Sequence, residues 1–483
     1  MTISQRIPPE IWDTIARYLP GHELAALMGV NRTFMQHAMK EKYRQVYLAT
    51  ITRREQGKLE SIRDNDWIAE LVLEAHIGPE ISFASPILPP LAHPPAFQTV
   101  VKTLAIDTYQ KLRGKDVVKS SRQVAMKLVC DVLARLKNVT KMSVVYAQVE
   151  TNSHVGWRVW DPDSRSPSFP LDLDFPQLTE LYIRTTLYQV GTGITVPDTP
   201  PIARFINKFQ KTLTRLSVLQ HGSNVNLQPL WDSLGYFPNL VSIDIAYGIG
   251  YTKFIKRYTN SLRELQIPLW HLSRGGVGAI EFRKLEKVTL IFDFPEWSPG
   301  LSWWSGPFVK SILKTVKNLI ILPMCSAEEF TTFISNVTAI SESQAPPMEK
   351  LSISLNLFAA DTIPSIASAF PRLRSLKINF AAFTPEYPPY CFPTQSFPFA
   401  ENAVKNISFA KQMAIALSGV SWDLEDISIK CRPSMGTELI SWGLMHICGE
   451  FIPSISSFNS TGSTLIPNDI QIPRDYVDTL WMH

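Results

Sequence analysis

The chain has 483 residues, with 47 basic and 43 acidic side chains and a formal net charge of +4. Its 45% hydrophobic and 11% aromatic content excludes general disorder, because that much apolar surface supports a sizeable core. The near balance of charge leaves no electrostatic footprint for nucleic acid, and no stretch of about 18 apolar residues is present to span a membrane.

The first predicted elements are three short helices within residues 7–38. Ile7, Pro8 and Pro9 set a helix start, and Ile11, Ile15, Tyr18 and Leu19 recur at helical spacing as one apolar stripe. Pro20 and Gly21 stop that helix. Leu24, Leu27 and Met28 form a shorter apolar face. Asn31 suits the N-cap of a third helix carrying Phe34, Met35 and Ala38, with Val30 placed to pack on Met35. Three helices of this size bury too little surface to stand alone. Their stripe therefore needs another surface, either the rest of the chain or a different protein.

Glu10, Asp13 and Arg17 interrupt the N-terminal apolar residues, which argues against a secretory leader. The five cysteines (Cys130, Cys325, Cys391, Cys431 and Cys448) share no metal-ligand or C-x-x-C spacing. They read as reduced thiols of a cytoplasmic or nuclear protein.

Residues 40–77 read as further helix, around Tyr43, Val46, Tyr47, Trp67, Ile68, Leu71, Val72 and Leu73. The stretch 81–97 is proline-rich and reads as an extended connection. Beyond it a pattern recurs: apolar, two residues, apolar, one residue, apolar. Its middle positions are Leu104, Met142, Leu181, Leu216, Ile243, Leu265, Val288, Leu322, Leu351, Leu376, Ile407 and Ile427. Irregular spacing around a fixed core pattern, with helical stretches such as 121–136 and 304–319 between, is what leucine-rich repeats give. Each strand-and-return unit must stack on its neighbours to bury its apolar face. The expected fold is therefore α/β: a small all-α hairpin, then a solenoid of parallel strands and outer helices. Leu181, Ile243, Leu265 and Leu376 are expected to be nearly fully buried. The expected organisation is 1–40 for the hairpin, 41–97 for a helical and proline-rich linker, 98–465 for the repeats and 466–483 for a tail or cap.

Residues 7–38 resemble an F-box. The matching features are Ile7-Pro8, Glu10-Ile11, Ile15, Tyr18-Leu19-Pro20, Leu24, Leu27, Val30, Asn31 and Phe34. The departures are Ile at 7, Trp12 for a usual leucine, Gly29 for a larger apolar residue and Phe34 where tryptophan is common. The layout is similar to that of F-box/leucine-rich-repeat proteins, particularly divergent fungal ones. The resemblance implies that the hairpin docks on the Skp-type linker subunit of a cullin–RING (SCF) ubiquitin ligase while the repeats hold a protein substrate. It also implies that Ile7, Pro8, Ile11, Ile15, Leu19, Leu24 and Val30 supply the docking surface or its core. The alternative is a leucine-rich scaffold without a ubiquitin role, whose hairpin only caps the first repeat.

No catalytic constellation is found: there is no G-x-S-x-G elbow, phosphate loop or H-E-x-x-H, and the nine histidines are scattered. The expectation is a non-enzymatic adaptor with no cofactor and no metal, binding neither nucleic acid nor membrane. The loop 296–308 carries Trp297, Trp303 and Trp304, and the loop 385–399 is rich in aromatics and proline. The tryptophans are either anchors for a substrate or a hydrophobic lid over the repeats.

Overall fold

The computed structural model describes residues 7–83, 124–149, 173–188, 199–221, 227–246, 250–268, 276–291, 307–341, 345–383, 409, 411–431, 438–460 and 463–465. The chain divides into two compact units. One comprises Met1–Leu240 with Tyr247–Tyr251, the other Val241–Ala246 with Thr252–His483.

The first unit begins with helices α1 (Pro9–Tyr18), α2 (Gly21–Ala26) and α3 (Arg32–Tyr43). Strand β1 (Gln45–Ile51) comes next, then helices α4 (Arg53–Asp64) and α5 (Asp66–Ala69). The remaining strands of this unit are β2 (Glu74–Phe83), β3 (Lys141–Val149), β4 (Glu180–Tyr188) and β5 (Arg215–His221), each parallel to the one before it. The second unit holds β6 (Ser242–Ala246), β7 (Glu264–Pro268), β8 (Lys287–Ile291), β9 (Asn318–Cys325), β10 (Lys350–Phe358), β11 (Ser375–Phe383), β12 (Asp426–Cys431), β13 (Ser457–Ser460) and β14 (Ser463–Leu465). These too are parallel in chain order, except that β14 turns back antiparallel on β13. The antiparallel end corrects the expectation of an all-parallel sheet. Parallel neighbours need a crossover, and helices such as Thr199–Asn207 and Thr362–Ala369 supply it.

One apolar triplet builds the coils of β1 to β12. Leu178, Leu181 and Ile183 form it at β4; Leu240, Ile243 and Ile245 at β6; Leu373, Leu376 and Ile378 at β11, all buried. The last two alternate on the inner face of the strand, and the first turns inward just ahead of it. Burying one such side chain is worth about 1.5–3 kcal/mol, so the stacked triplets carry much of the core. The four positions singled out from the sequence, Leu181, Ile243, Leu265 and Leu376, are all buried as expected.

Two further expectations are corrected, and two anchors fall outside the described residues. Within the stretch expected to be helix, residues 45–51 and 74–77 are strand, because Tyr43/Val46/Leu48 and Val72/Ala75/Ile77 carry the same triplet, and all six side chains are buried. The anchor of β9 is Leu319, not Leu322: Val288 and Leu351 are both in register with Leu319. Val316, Leu319 and Ile321 form the buried triplet there, leaving Leu322 at 43% exposure. Leu104 and Ile407 lie outside the described residues, and β2 pairs directly with β3, as β11 does with β12.

A second ladder runs just before the strands. The Arg44 carbonyl accepts from the N–H groups of Leu73 and Glu74 at 2.9 and 3.0 Å, and the Thr140 carbonyl accepts from Thr179 and Glu180 at 2.9 Å each. In the second unit the Glu349 carbonyl accepts from Arg374 and Ser375, and the Arg374 carbonyl from Glu425 and Asp426, at 2.8–3.0 Å. Within each unit, each coil is thereby hung from the one before it.

Candidate docking surface

The N-terminal helices start and stop as their residues dictate. Pro8 is the N-cap of α1, Glu10 sits in its first turn and Arg17 in its last. Asn31 caps α3, its side chain accepting from the Phe34 N–H at 2.9 Å. Buried Ala16, Leu24, Phe34 and Ala38 make a small core, with partly buried Trp12, Leu19 and Leu27 against it. The Trp12 and Phe34 rings meet edge to face at 5.4 Å. Asp13 on α1 bonds His37 Nε2 on α3 at 2.7 Å and also pairs with Arg17. The hydrogen bond from His37 holds the Asp13 carboxyl below its ordinary range, and Arg17 adds to the effect.

Helix α1 carries two apolar stripes side by side. Trp12, Ala16 and Leu19 turn inward. Ile11, Ile15 and Tyr18 turn to solvent, Ile11 at 50% and Tyr18 at 85% exposure. Met28, Val30 and Met35 are exposed as well. Of the residues singled out from the sequence, Leu24 is core and Ile7 and Leu19 are partly buried, whereas Pro8, Ile11, Ile15 and Val30 are exposed. The single stripe read from the sequence is thus divided, because Leu19 belongs with the inner row.

Helix α3 joins the hairpin to the sheet. Its last residue, Tyr43, is the first inward side chain of the β1 coil and is buried. Where α3 meets the turn before β2, Lys40, Glu41, Arg44, Glu70, Leu71 and Leu73 line an open cavity of about 310 Å³.

Sequence reasoning missed a second surface, the outer face of β1–β5. Alternation along the strands puts Gln45 and Tyr47, Glu74 and His76, Lys141 and Ser143, and Glu180 and Tyr182 on the face opposite the buried rows. The exposed Tyr47 ring stacks on His76 at 4.7 Å and 13°. Glu74 is the hub of the row: it accepts from Gln45 Nε2 at 3.1 Å and lies 3.6 Å from Arg44 Nε, 3.8 Å from His76 Nε2 and 4.0 Å from Lys141 Nζ. Lys141 sits 5.3 Å from the Tyr182 ring centroid, and the Tyr182 hydroxyl donates to Glu180 at 2.8 Å. Burial lowers the His76 pKa against the opposing pull of Glu74, and burial raises that of Tyr182. The only signal in the sequence was the identity of the residues between the apolar ones.

Trp297, Trp303 and Trp304 lie outside the described residues, as does 466–483. Among the described residues, no group of three or more His, Cys, Asp or Glu side chains is placed to hold a metal. No helix among them is long and apolar enough to cross a membrane. No protein-family model matches the chain, and no curated protein matches it either.

Proposed function

We propose that this chain is a substrate-recognition adaptor of an SCF-type ubiquitin ligase. In this reading the N-terminal hairpin is an F-box that docks on a Skp-type linker subunit, and the stacked coils are degenerate leucine-rich repeats that present a protein substrate. One observation carries the reading: Ile11, Ile15 and Tyr18 face solvent beside a hairpin core that closes without them. An apolar row left exposed on a unit this small is better suited to a partner than to its own fold. The adaptor needs no catalytic group, since ubiquitin transfer falls to another subunit.

A second reading, a leucine-rich scaffold whose hairpin is only a cap, draws support from α3, which runs directly into β1 and contributes Tyr43 to its core. The two readings separate on one experiment. Pro8→Ala with Ile11→Asp places a charge in the exposed row, so it should abolish co-purification with a Skp-type subunit. Because both side chains are exposed, the melting temperature should stay unchanged. Binding that persists in the double variant, or no binding by the wild type, overturns the F-box assignment, and the second outcome favours the scaffold.

A further inference from the structure

On β10, β11 and β12 the side chains opposite the buried rows form a square grid. The register sets Lys350, Ser375 and Asp426 in one row, Ser352, Lys377 and Ser428 in the next, and Ser354, Asn379 and Lys430 in the third. Leu351, Ile353, Leu376, Ile378, Ile427 and Ile429 alternate with them and are buried, so the grid faces the other way. The three lysines stand on its diagonal, at steps of about 8 Å given the spacing and rise of parallel strands.

This diagonal is left without countercharge. Within the grid, the direct neighbours of the lysines are Ser352, Ser375, Ser428 and Asn379. Asp426 sits at a corner and is held by hydroxyls, accepting from Ser375 Oγ at 2.9 Å and from Ser457 Oγ at 2.7 Å. Among the described residues, none of the three lysines forms an ion pair. The same face of the first unit differs, because Lys141 there lies between Glu74 and the Tyr182 ring. Lys350 and Lys377 are exposed and Lys430 is half-buried, while Ser354 and Ser428 are buried in the floor beside them.

A line of unneutralised cations over a small polar floor is complementary to a chain of single negative charges. Alternate residues of an extended polypeptide are about 6.6–6.8 Å apart, so carboxylates at every second or third position match the diagonal. The grid has no arginine fork for a phosphate and no aromatic ring on which to stack a base. We propose that Lys350, Lys377 and Lys430 bind an extended acidic segment, rich in Asp and Glu, of another protein; that this protein is the substrate rests on the adaptor reading.

The test is fluorescence anisotropy of a labelled peptide of alternating Glu and Ser, titrated in dilute buffer with the full chain. Lys350→Gln with Lys377→Gln and Lys430→Gln should weaken binding about tenfold, since exposed ion pairs are each worth up to a few-fold. Lys253→Gln with Lys310→Gln and Lys314→Gln removes the same charge from exposed positions on the helices Thr252–Lys256 and Pro307–Thr315, and should leave binding unchanged. Binding that both triple variants lose alike, or that neither loses, overturns the proposal. So does a wild type that binds the peptide no better than its Gln-for-Glu counterpart, or that binds an oligothymidylate in preference. Should the grid variant fail to fold, Lys377→Gln alone decides: a few-fold loss upholds the proposal and wild-type affinity overturns it. Co-purification with a Skp-type subunit is read separately. Peptide bound without that subunit removes the adaptor reading alone, and the subunit bound without peptide removes this proposal alone.

Discussion

The two units hang their coils from the same backbone ladder but reinforce it with different chemistry. In the first, threonine hydroxyls do so: Thr179 Oγ1 donates to the Thr140 carbonyl and Thr214 Oγ1 to the Thr179 carbonyl, both at 3.1 Å. In the second, the positions from Arg263 to Glu425 alternate in charge, and Arg263–Glu286, Lys317–Glu349 and Arg374–Glu425 pair at 3.6–3.7 Å; a hydroxyl returns at the last coil, where Ser456 Oγ donates to the Glu425 carbonyl at 3.2 Å. The difference teaches that the coil is specified by its buried triplet and its backbone, while the flanking position is free to choose between a short neutral bond and a long exposed ion pair. A half-buried hydroxyl bond is indifferent to salt; an exposed ion pair contributes little and is screened.

The largest expected effect tests the shared part. Leu216→Ala in the first unit and Leu376→Ala in the second each empty a buried anchor and should cost about 2–5 kcal/mol in urea unfolding. A clear inequality would show that the two cores are not built alike. The next effect separates the flanks. Thr179→Val removes the hydroxyl at nearly constant shape and should cost about 0.5–1.5 kcal/mol at any ionic strength. Arg374→Gln should cost at most about 0.5 kcal/mol in dilute buffer and nothing measurable in molar salt. A salt-dependent Thr179→Val, or a large Arg374→Gln, would break the comparison.

The smallest effect is one of reactivity alone. Burial pushes the Cys325 thiol up to about 12 and that of Cys448 higher, whereas Cys130 is only partly buried and more modestly raised. Below a raised pKa the thiol stays protonated and inert. At pH 8, maleimide labelling read by peptide mapping should therefore mark Cys130 of the first unit well before Cys325 and Cys448 of the second. Equal rates would mean that the second unit opens readily.

Legibility in the sequence divides along the same line between buried triplet and flank. The triplet was legible wherever its members are large and its neighbours polar, as at Leu181 and Leu376. It was hidden at β2, where the middle member is Ala75, and at β1, where Tyr43 is also the last residue of a helix. At β9 the run NLIILPM is apolar in two frames, and only pairing with Val288 and Leu351 selects Leu319. On the hairpin, the Asn31 cap and the apolar character of α1 were legible, but the inner and outer rows were not. They lie one residue apart, and tertiary packing alone assigns Trp12 inward and Ile11 outward. The Tyr47–His76–Tyr182 face left no pattern, because outward strand positions carry no packing constraint to repeat.

The continuity of α3 into β1 has a geometric consequence. Phe34 and Ala38 are keyed into the hairpin and Tyr43 into the sheet, so the helix between them works as a shaft with both ends fixed. Each residue added to a helix rotates one end against the other by about 100° and lengthens it by about 1.5 Å. One alanine inserted after Lys40 would therefore swing the Ile11/Ile15/Tyr18 row to a new bearing around the sheet, while four would return it close to its first. The direction in which this chain offers its exposed row is thus set by a residue count, and can be re-aimed without altering a single contact side chain.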